Sequence, residues 1–317
     1  MKSRKSTRNI IIALIIIVIA IIAGFAFYTG NLLGKIEKKD IPKDNESLGI
    51  SETEVDKEQG ITNIALFGFD FSNERTDSIM VVSIDKDKNI VKVTSLLRDM
   101  YIDLPGYGKE ILNHAYMKGG PELAIKTINT SFGLDIKDYV TIKMEGLIKL
   151  VDAVGGVDID IKQEEIPYVN QKANLFAEKT NYGTVNEIVK PGLQTLNGAQ
   201  ALGYSGVRKV GTDFGRTLRQ RNVLNQVFKK IKAGGVLKLS QEIETFLPYV
   251  ETSLDNNSLL KLSQTIIRSS GEAMEEFVVP IEETYKQQHI SGMDVLIIDL
   301  EANKSKLHEF IYGNVGK

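Results

Sequence analysis

The sequence predicts an α/β protein: a three-layer α-β-α domain around a central mixed twisted sheet, preceded by one N-terminal transmembrane helix. Three observations carry that reading. An uncharged apolar run, Ile10 to Tyr28, is about 19 residues long, close to the roughly 20 helical residues that span a bilayer core. From Ile61 onward, short runs dense in Val, Ile and Leu alternate with segments of helical periodicity. Polar turns and Gly pairs separate these elements, as expected where helices cover a mixed sheet.

Lys2, Arg4, Lys5 and Arg8 precede the apolar run, so residues 1–9 are expected in the cytoplasm and the chain after residue 29 outside the cell membrane. A cleaved signal peptide is the competing reading. Its apolar core would run about 7–15 residues and end at a small-residue cleavage site, whereas Ala23 and Ala26 lie inside the run. Residues 30–60 are rich in Lys, Asp and Glu and read as a solvated linker. The remaining residues, 61–317, read as one extracellular catalytic domain.

Strands are expected at Asn63–Phe69, Ser78–Asp85 and Ile90–Leu97, the last two joined as a hairpin through Lys86-Asp87-Lys88-Asn89. A helix is expected over Pro121–Ser131, with Pro in its first turn. Tyr139–Met144 reads as a strand, Glu145–Val154 as a helix closed by Gly155-Gly156, and Val157–Ile161 as a strand. Lys162–Lys190 reads as a polar surface excursion. Helices are expected at Gly198–Tyr204, Arg216–Ala233, Ser240–Val250, Ser258–Ser270 and Lys304–Tyr312, with short strands at Phe277–Pro280 and Asp294–Ile298.

The chain has no cysteine, which excludes thiol catalysis, thiolate metal sites and disulfides. A formal charge of -2 gives no bulk attraction for nucleic acid, so any anion site must come from local clusters of Arg and Lys.

Three polar segments supply such clusters. Asp70 and Asp77 bracket a strand-to-strand turn through Arg75 and Thr76. Two carboxylates at a strand end suit one Mg²⁺, a hard ion that bridges to phosphates, and suit turn chemistry equally. The pair Arg98-Asp99 follows an apolar strand. Such an arginine either clamps phosphate through its planar fork of donors or forms a surface ion pair. Lys109, Asn113 and His114 follow in a Gly-rich stretch; the His reads as a base or as a structural residue. In the third segment, Arg208-Lys209 precedes Asp213, Arg216, Arg219, Gln220 and Arg221. Arg216, Arg219 and Gln220 share one helical face, and arginines at a helix start are unfavourable unless an anion is near. A solvated basic face is the alternative.

In this order, Leu66-Phe67-Gly68-Phe69-Asp70, Arg75-Thr76-Asp77, Leu97-Arg98-Asp99, Leu112-Asn113-His114-Ala115-Tyr116 and Leu150-Val151-Asp152-Ala153-Val154-Gly155-Gly156 are followed by Asp213-Phe214-Gly215-Arg216 and Arg219-Gln220-Arg221. The set resembles the LytR-CpsA-Psr family of cell-wall enzymes. The resemblance implies transfer of a secondary wall polymer, such as teichoic acid or capsular polysaccharide, from undecaprenyl diphosphate to peptidoglycan. It implies Mg²⁺ at Asp70 and Asp77 and a diphosphate held by Arg75, Arg98, Arg208, Arg216 and Arg219, with Lys109 and Gln220 assisting. Arg98, Asp99 and Arg75 are the implied catalytic residues. A polyprenyl-diphosphate hydrolase and a non-enzymatic receptor or envelope regulator are the alternatives. One departure stands out: the family has two arginines one residue apart where this chain has Gly206 and Arg208.

Overall fold

The computed structural model describes residues 33–51, 60–69, 76–88, 90–207, 245–268 and 275–313, with 210, 219, 222–223, 226–227 and 230. The apolar run Ile10–Tyr28 lies outside these. Among the described residues no helix is long and apolar enough to cross a membrane. The chain divides into two compact units, one containing Lys143–Val250 and Asn256–Gln264, the other Lys38–Ile142, Glu251–Asp255 and Thr265–Lys317.

The central mixed sheet expected from the sequence forms in the second unit. Its strands are β1 (Glu37–Lys38), β2 (Ile61–Phe69), β3 (Thr76–Asp85), β4 (Ile90–Leu96), β7 (Asp138–Ile142), β10 (Val250–Thr252) and β11 (Glu275–Val279). Their order is β1-β10-β7-β2-β3-β4-β11. Strands β2, β3 and β4 run antiparallel, while β7 joins β2 and β11 joins β4 in parallel. The β3–β4 hairpin is the one the polar turn predicts, and Ile64 to Phe67 and Ile79 to Asp85 are buried. Such unbroken buried runs, apolar but for Ser83 and Asp85, suit strands covered on both faces.

Helix α1 (Asn113–Phe132) and a C-terminal helix, here α6 (Leu300–Tyr312), contribute Ala124, Ile125, Ile128, Phe132, Leu307 and Ile311 to the core with Phe67, Val81 and Leu96. The first of these helices starts eight residues before the expected Pro121 and is kinked at Gly119-Gly120, where the backbone leaves helical φ/ψ. The stretch read as a Gly-rich loop is ordered instead: Lys109 lies on a hairpin of β5 (Tyr101–Leu104) with β6 (Gly108–Ile111), and Asn113 and His114 begin α1. A second hairpin pairs β12 (Tyr285–Ile290) with β13 (Met293–Ile298).

Part of the expected linker is packed. Leu48 is fully buried, and its carbonyl accepts from Asn129 Nδ2 at 2.9 Å. The charged composition of the segment hid one well-placed leucine. Asn129 also donates to Ile136 O at 2.9 Å and accepts from Ile136 N–H at 3.0 Å. Asn129→Ala therefore leaves several buried backbone groups unpaired. We expect a loss of about 2–4 kcal/mol, read as a lower denaturant midpoint with an unchanged slope.

In the first unit, α2 (Met144–Ala153), α3 (Ile166–Lys179) and α4 (Gly198–Ser205) accompany a hairpin of β8 (Val157–Ile161) and β9 (Gly192–Leu196). The third helix corrects the reading of Lys162–Lys190 as an excursion. Ile166, Val169, Ala173, Phe176 and Ala177 are buried along one face, and Pro167 sits in the first turn where its missing N–H costs nothing. Helix α4 lies against α3 through Gly203, where a Cβ would come 2.7 Å from Val169 O. Helix α5 (Asn256–Arg268) matches its expectation. The expected helix at Arg216–Ala233 falls largely outside the described residues. Of Ser240–Val250, the described part carries a 3-10 turn at Leu247–Tyr249 that leads into β10.

Candidate functional site at the strand-end rim

The rim forms where β4 ends, β3 begins and α1 starts. Backbone hydrogen bonds fix the short segment after β4 from both sides. Leu97 N–H donates to Val279 O at 2.8 Å, Asn113 N–H to Arg98 O at 3.1 Å, and Leu296 N–H to Asp99 O at 2.9 Å. The direction in which Arg98 leaves the backbone is therefore set by β11, α1 and β13 together.

Arg98 Nη1 donates to Asp77 Oδ1, and Arg98 Nε lies 3.4 Å from Asp99 Oδ1. The second approach is an ion pair without a hydrogen bond, because Nε is a buried donor with no hydrogen-bond partner. The three side chains are 24%, 36% and 43% exposed for Arg98, Asp77 and Asp99, so the cluster opens to solvent on one side. The structure thus places Asp77, Arg98 and Asp99 together, while Asp70 and Arg216, expected at the same rim, lie outside the described residues.

Five buried side-chain polar atoms among the described residues have no hydrogen-bond partner, and three of them belong here: Thr76 Oγ1, Arg98 Nε and Asn113 Oδ1. Each such atom costs about 1–3 kcal/mol, and a fold tolerates that cost where a polar ligand completes the set. The sequence marked Thr76 and Asn113 only as members of motifs. Nothing in residue type says that their side chains go unpaired.

A Mg²⁺ ion keeps several waters and takes one or two carboxylates. The half-exposed carboxylate of Asp77 fits that demand, while Asp70 lies outside the described residues. Among the described residues no group of three or more acidic or His side chains converges as a metal site.

Lys109 is exposed on β6, across from Asp103. His114 is buried with Nδ1 3.3 Å from Glu110 Oε1. Burial raises the Glu110 carboxyl, but the Ile111 N–H and the His114 ring outweigh it and hold it below the usual carboxylate range. Tyr116 lays its ring edge-on against Phe67 and Phe69, with centroids 5.2 and 4.8 Å away, which ties the start of α1 to the end of β2.

In the first unit, Arg219 is 5% exposed and faces Glu165, itself 4% exposed, with Nε to Oε1 at 2.7 Å. Its Nη1 donates to Val207 O at 3.2 Å and its Nη2 to Val210 O. Expected from sequence as a diphosphate ligand, Arg219 here spends its three nitrogens on internal acceptors. Those two carbonyls flank Arg208 in the chain. Arg75, Arg208, Arg216 and Gln220 lie outside the described residues. At Gly206 a Cβ would meet Lys172 Cδ at 3.2 Å and Phe176 Cε2 at 3.4 Å, so a larger side chain would need both to shift slightly.

Asp152, from the Gly155-Gly156 motif, is structural. One of its oxygens accepts from Gly198 N–H at 2.8 Å and from the Tyr182 hydroxyl at 2.9 Å. Burial, then that carboxylate, raise the Tyr182 phenol.

Residues 25–309 match the LytR_cpsA_psr family. Regulatory protein MsrR of Staphylococcus aureus (strain COL) is 29% identical over 261 residues, covering 80% of this chain and 76% of that protein. The polyisoprenyl-teichoic acid–peptidoglycan teichoic acid transferase TagU of Bacillus mycoides (strain KBAB4) is 29% identical over 272 residues, covering 82% and 83%. The solved structure of the family protein TagT with bound octaprenyl pyrophosphate lipid superposes with a TM-score of 0.57 at 21% identity, covering 82% of this chain and 95% of that one. The latter is a likeness of fold alone, whereas the match over residues 25–309 spans both units. On that extent, the chain belongs to the LytR-CpsA-Psr family.

Proposed function

We propose that this protein is a phosphotransferase that moves a secondary wall polymer from undecaprenyl diphosphate to the 6-hydroxyl of N-acetylmuramic acid in peptidoglycan. The hydroxyl oxygen attacks the polymer-proximal phosphorus and loses its proton. The bond from that phosphorus to the bridging oxygen breaks, and undecaprenyl phosphate leaves with the electron pair. A phosphodiester joins polymer to glycan.

The observation that carries the reading is Arg98, fixed by three elements beside Asp77 and Asp99 with unpaired polar atoms around it. Phosphoryl transfer asks a protein chiefly for positioning and for charge stabilisation. Arg75, Arg98, Arg208 and Arg216, with Lys109, carry the positive charge for the diphosphate, and the neutral amide of Gln220 assists as a hydrogen-bond donor. Arg219 acts as a positioning residue through the carbonyls of Val207 and Val210. Asp99 orients Arg98 or takes the proton of the incoming hydroxyl. Asp70 and Asp77 would hold a Mg²⁺ ion, which would supply charge neutralisation for the diphosphate. The run Ile10–Tyr28 anchors the chain in the cell membrane with the catalytic domain outside, on the face where a lipid-linked donor lies. The name of TagU and the lipid named with TagT support this substrate class.

The test is direct. Purified full-length protein, supplied with a polyprenyl-diphosphate-linked polymer and peptidoglycan fragments, is expected to yield polymer-linked glycan and lipid phosphate in equal amounts. Release of free polymer and lipid phosphate without linked glycan would make the protein a hydrolase. The name of MsrR favours a second reading, an envelope regulator that binds the lipid and transforms nothing. Binding of lipid with neither product formed would support it.

A further inference from the structure

From the groove between the β5–β6 turn and the kink of α1, we infer a binding site for the acceptor glycan, a strand of linked N-acetylated pyranoses. The inference deepens the function proposed above and rests on peptidoglycan being the acceptor. The groove has a volume of about 450 Å³ and is lined by Pro105, Tyr107, Gly119, Glu122, Leu123 and Lys126, a size within the usual range for ligand sites of about 300–1,000 Å³.

Tyr107 is the central observation. It is 55% exposed, yet Lys118 contacts it twice. The hydroxyl lies 3.4 Å from Lys118 O, and the Lys118 ammonium sits 5.2 Å from the ring centroid. A large aromatic face held in place and offered to solvent loses little conformational freedom when something stacks on it. A pyranose presents a face of C–H groups that suits such a ring, and its hydroxyl and acetamido groups need donors and acceptors beside it. Lys126 and Glu122 supply both at the groove's edge.

The alternatives fit less well. A prenyl tail needs an apolar lining, and Pro105 and Leu123 are the two aliphatic side chains among the lining residues. A phosphate would meet the Glu122 carboxylate. The floor also depends on the kink. A Cβ at Gly119 would come 2.6 Å from Leu123 Cβ, so a side chain there would force Leu123 to move into or away from the groove.

The groove adjoins the rim that holds Arg98. Asn113 N–H bonds to Arg98 O, and the six residues of α1 from there to Gly119 span about 9 Å. On the other wall, Lys109 lies two residues from Tyr107 on the same hairpin, about 7 Å of extended chain.

The test uses full-length protein in detergent and a peptide-free peptidoglycan tetrasaccharide, with affinity read by calorimetry. Tyr107→Ala is expected to weaken binding at least about tenfold, as expected for loss of one stacking ring. Tyr107→Phe keeps the ring and should stay within about twofold. Polyprenyl diphosphate, titrated in parallel, should bind all three proteins alike. Equal tetrasaccharide affinity of the wild type and Tyr107→Ala, or no binding by the wild type at millimolar concentration, overturns the site. If the tetrasaccharide binds through Tyr107 while no transfer occurs, the groove stands and the enzymatic reading fails. If transfer proceeds with a glycan KM indifferent to Tyr107→Ala, the groove fails and the enzyme stands.

Discussion

Arg98→Ala is expected to lower polymer transfer by at least about a thousandfold, the scale on which a single arginine acts in phosphoryl transfer. The side chain sits where its backbone is fixed by β11, α1 and β13, so the loss cannot be recovered by a neighbour moving in. Stability should barely change. The Arg98–Asp77 pair is open to solvent on one side, at 24% and 36% exposure, and exposed pairs contribute at most about 1 kcal/mol. A large kinetic effect with a thermal midpoint within a few degrees of wild type is the expected pair of results, read by lipid phosphate release and by calorimetry. Arg98→Lys keeps a charge but not the planar fork, so it should recover only part of the rate. Transfer by Arg98→Ala at more than a tenth of the wild-type rate would remove this rim from the mechanism.

The second large effect is on folding. Glu165→Ala is expected to destabilise the first unit by about 3–5 kcal/mol, because it strands a buried guanidinium. Arg219 and Glu165 are 5% and 4% exposed, and arginine does not escape by losing its proton. At about 2–4 °C per kcal/mol for a unit of this size, the thermal midpoint should drop by about 10 °C. Glu165 also accepts from Lys162 N–H at 3.0 Å, so the turn into α3 loosens with it. Glu165→Gln keeps an acceptor and should lose less. Replacing both partners together, Glu165→Leu with Arg219→Met, should restore much of the lost stability, since an apolar pair of similar size often matches a buried ion pair. If the double variant is no more stable than Glu165→Ala, the ion pair is not what holds this region.

How far the sequence could be read depended on whether a feature was local. The β3–β4 hairpin is local: two apolar runs and a polar turn specify it, and the turn pairs Asp85 with Ile90 and so sets the register. At the rim the sequence marked Asp77 and Arg98-Asp99 as separate strand-end segments, and the pairing of Arg98 with Asp77 across 21 residues was written in neither. Helix α3 left a signal that composition masked. Ile166, Val169, Ala173 and Phe176 recur at helical spacing among lysines and glutamates. The β5–β6 hairpin has strands of four residues, too short for alternation to separate from a loop. Arg219 was not legible at all. Its partner Glu165 is 54 residues away in the chain, and no local pattern distinguishes an arginine aimed at a phosphate from one aimed at a buried carboxylate.

The bonds that fix Arg98 also set a timetable for the nascent chain. Leu97 and Asp99 are made early, but the groups that hold them, Val279 O and Leu296 N–H, come much later in the chain. Pairing across so long a stretch is slow, because the intervening chain must close first. A chain emerging N-terminus first therefore carries its arginine unset until β11 and β13 arrive, and the rim becomes competent only after Leu296 has been made.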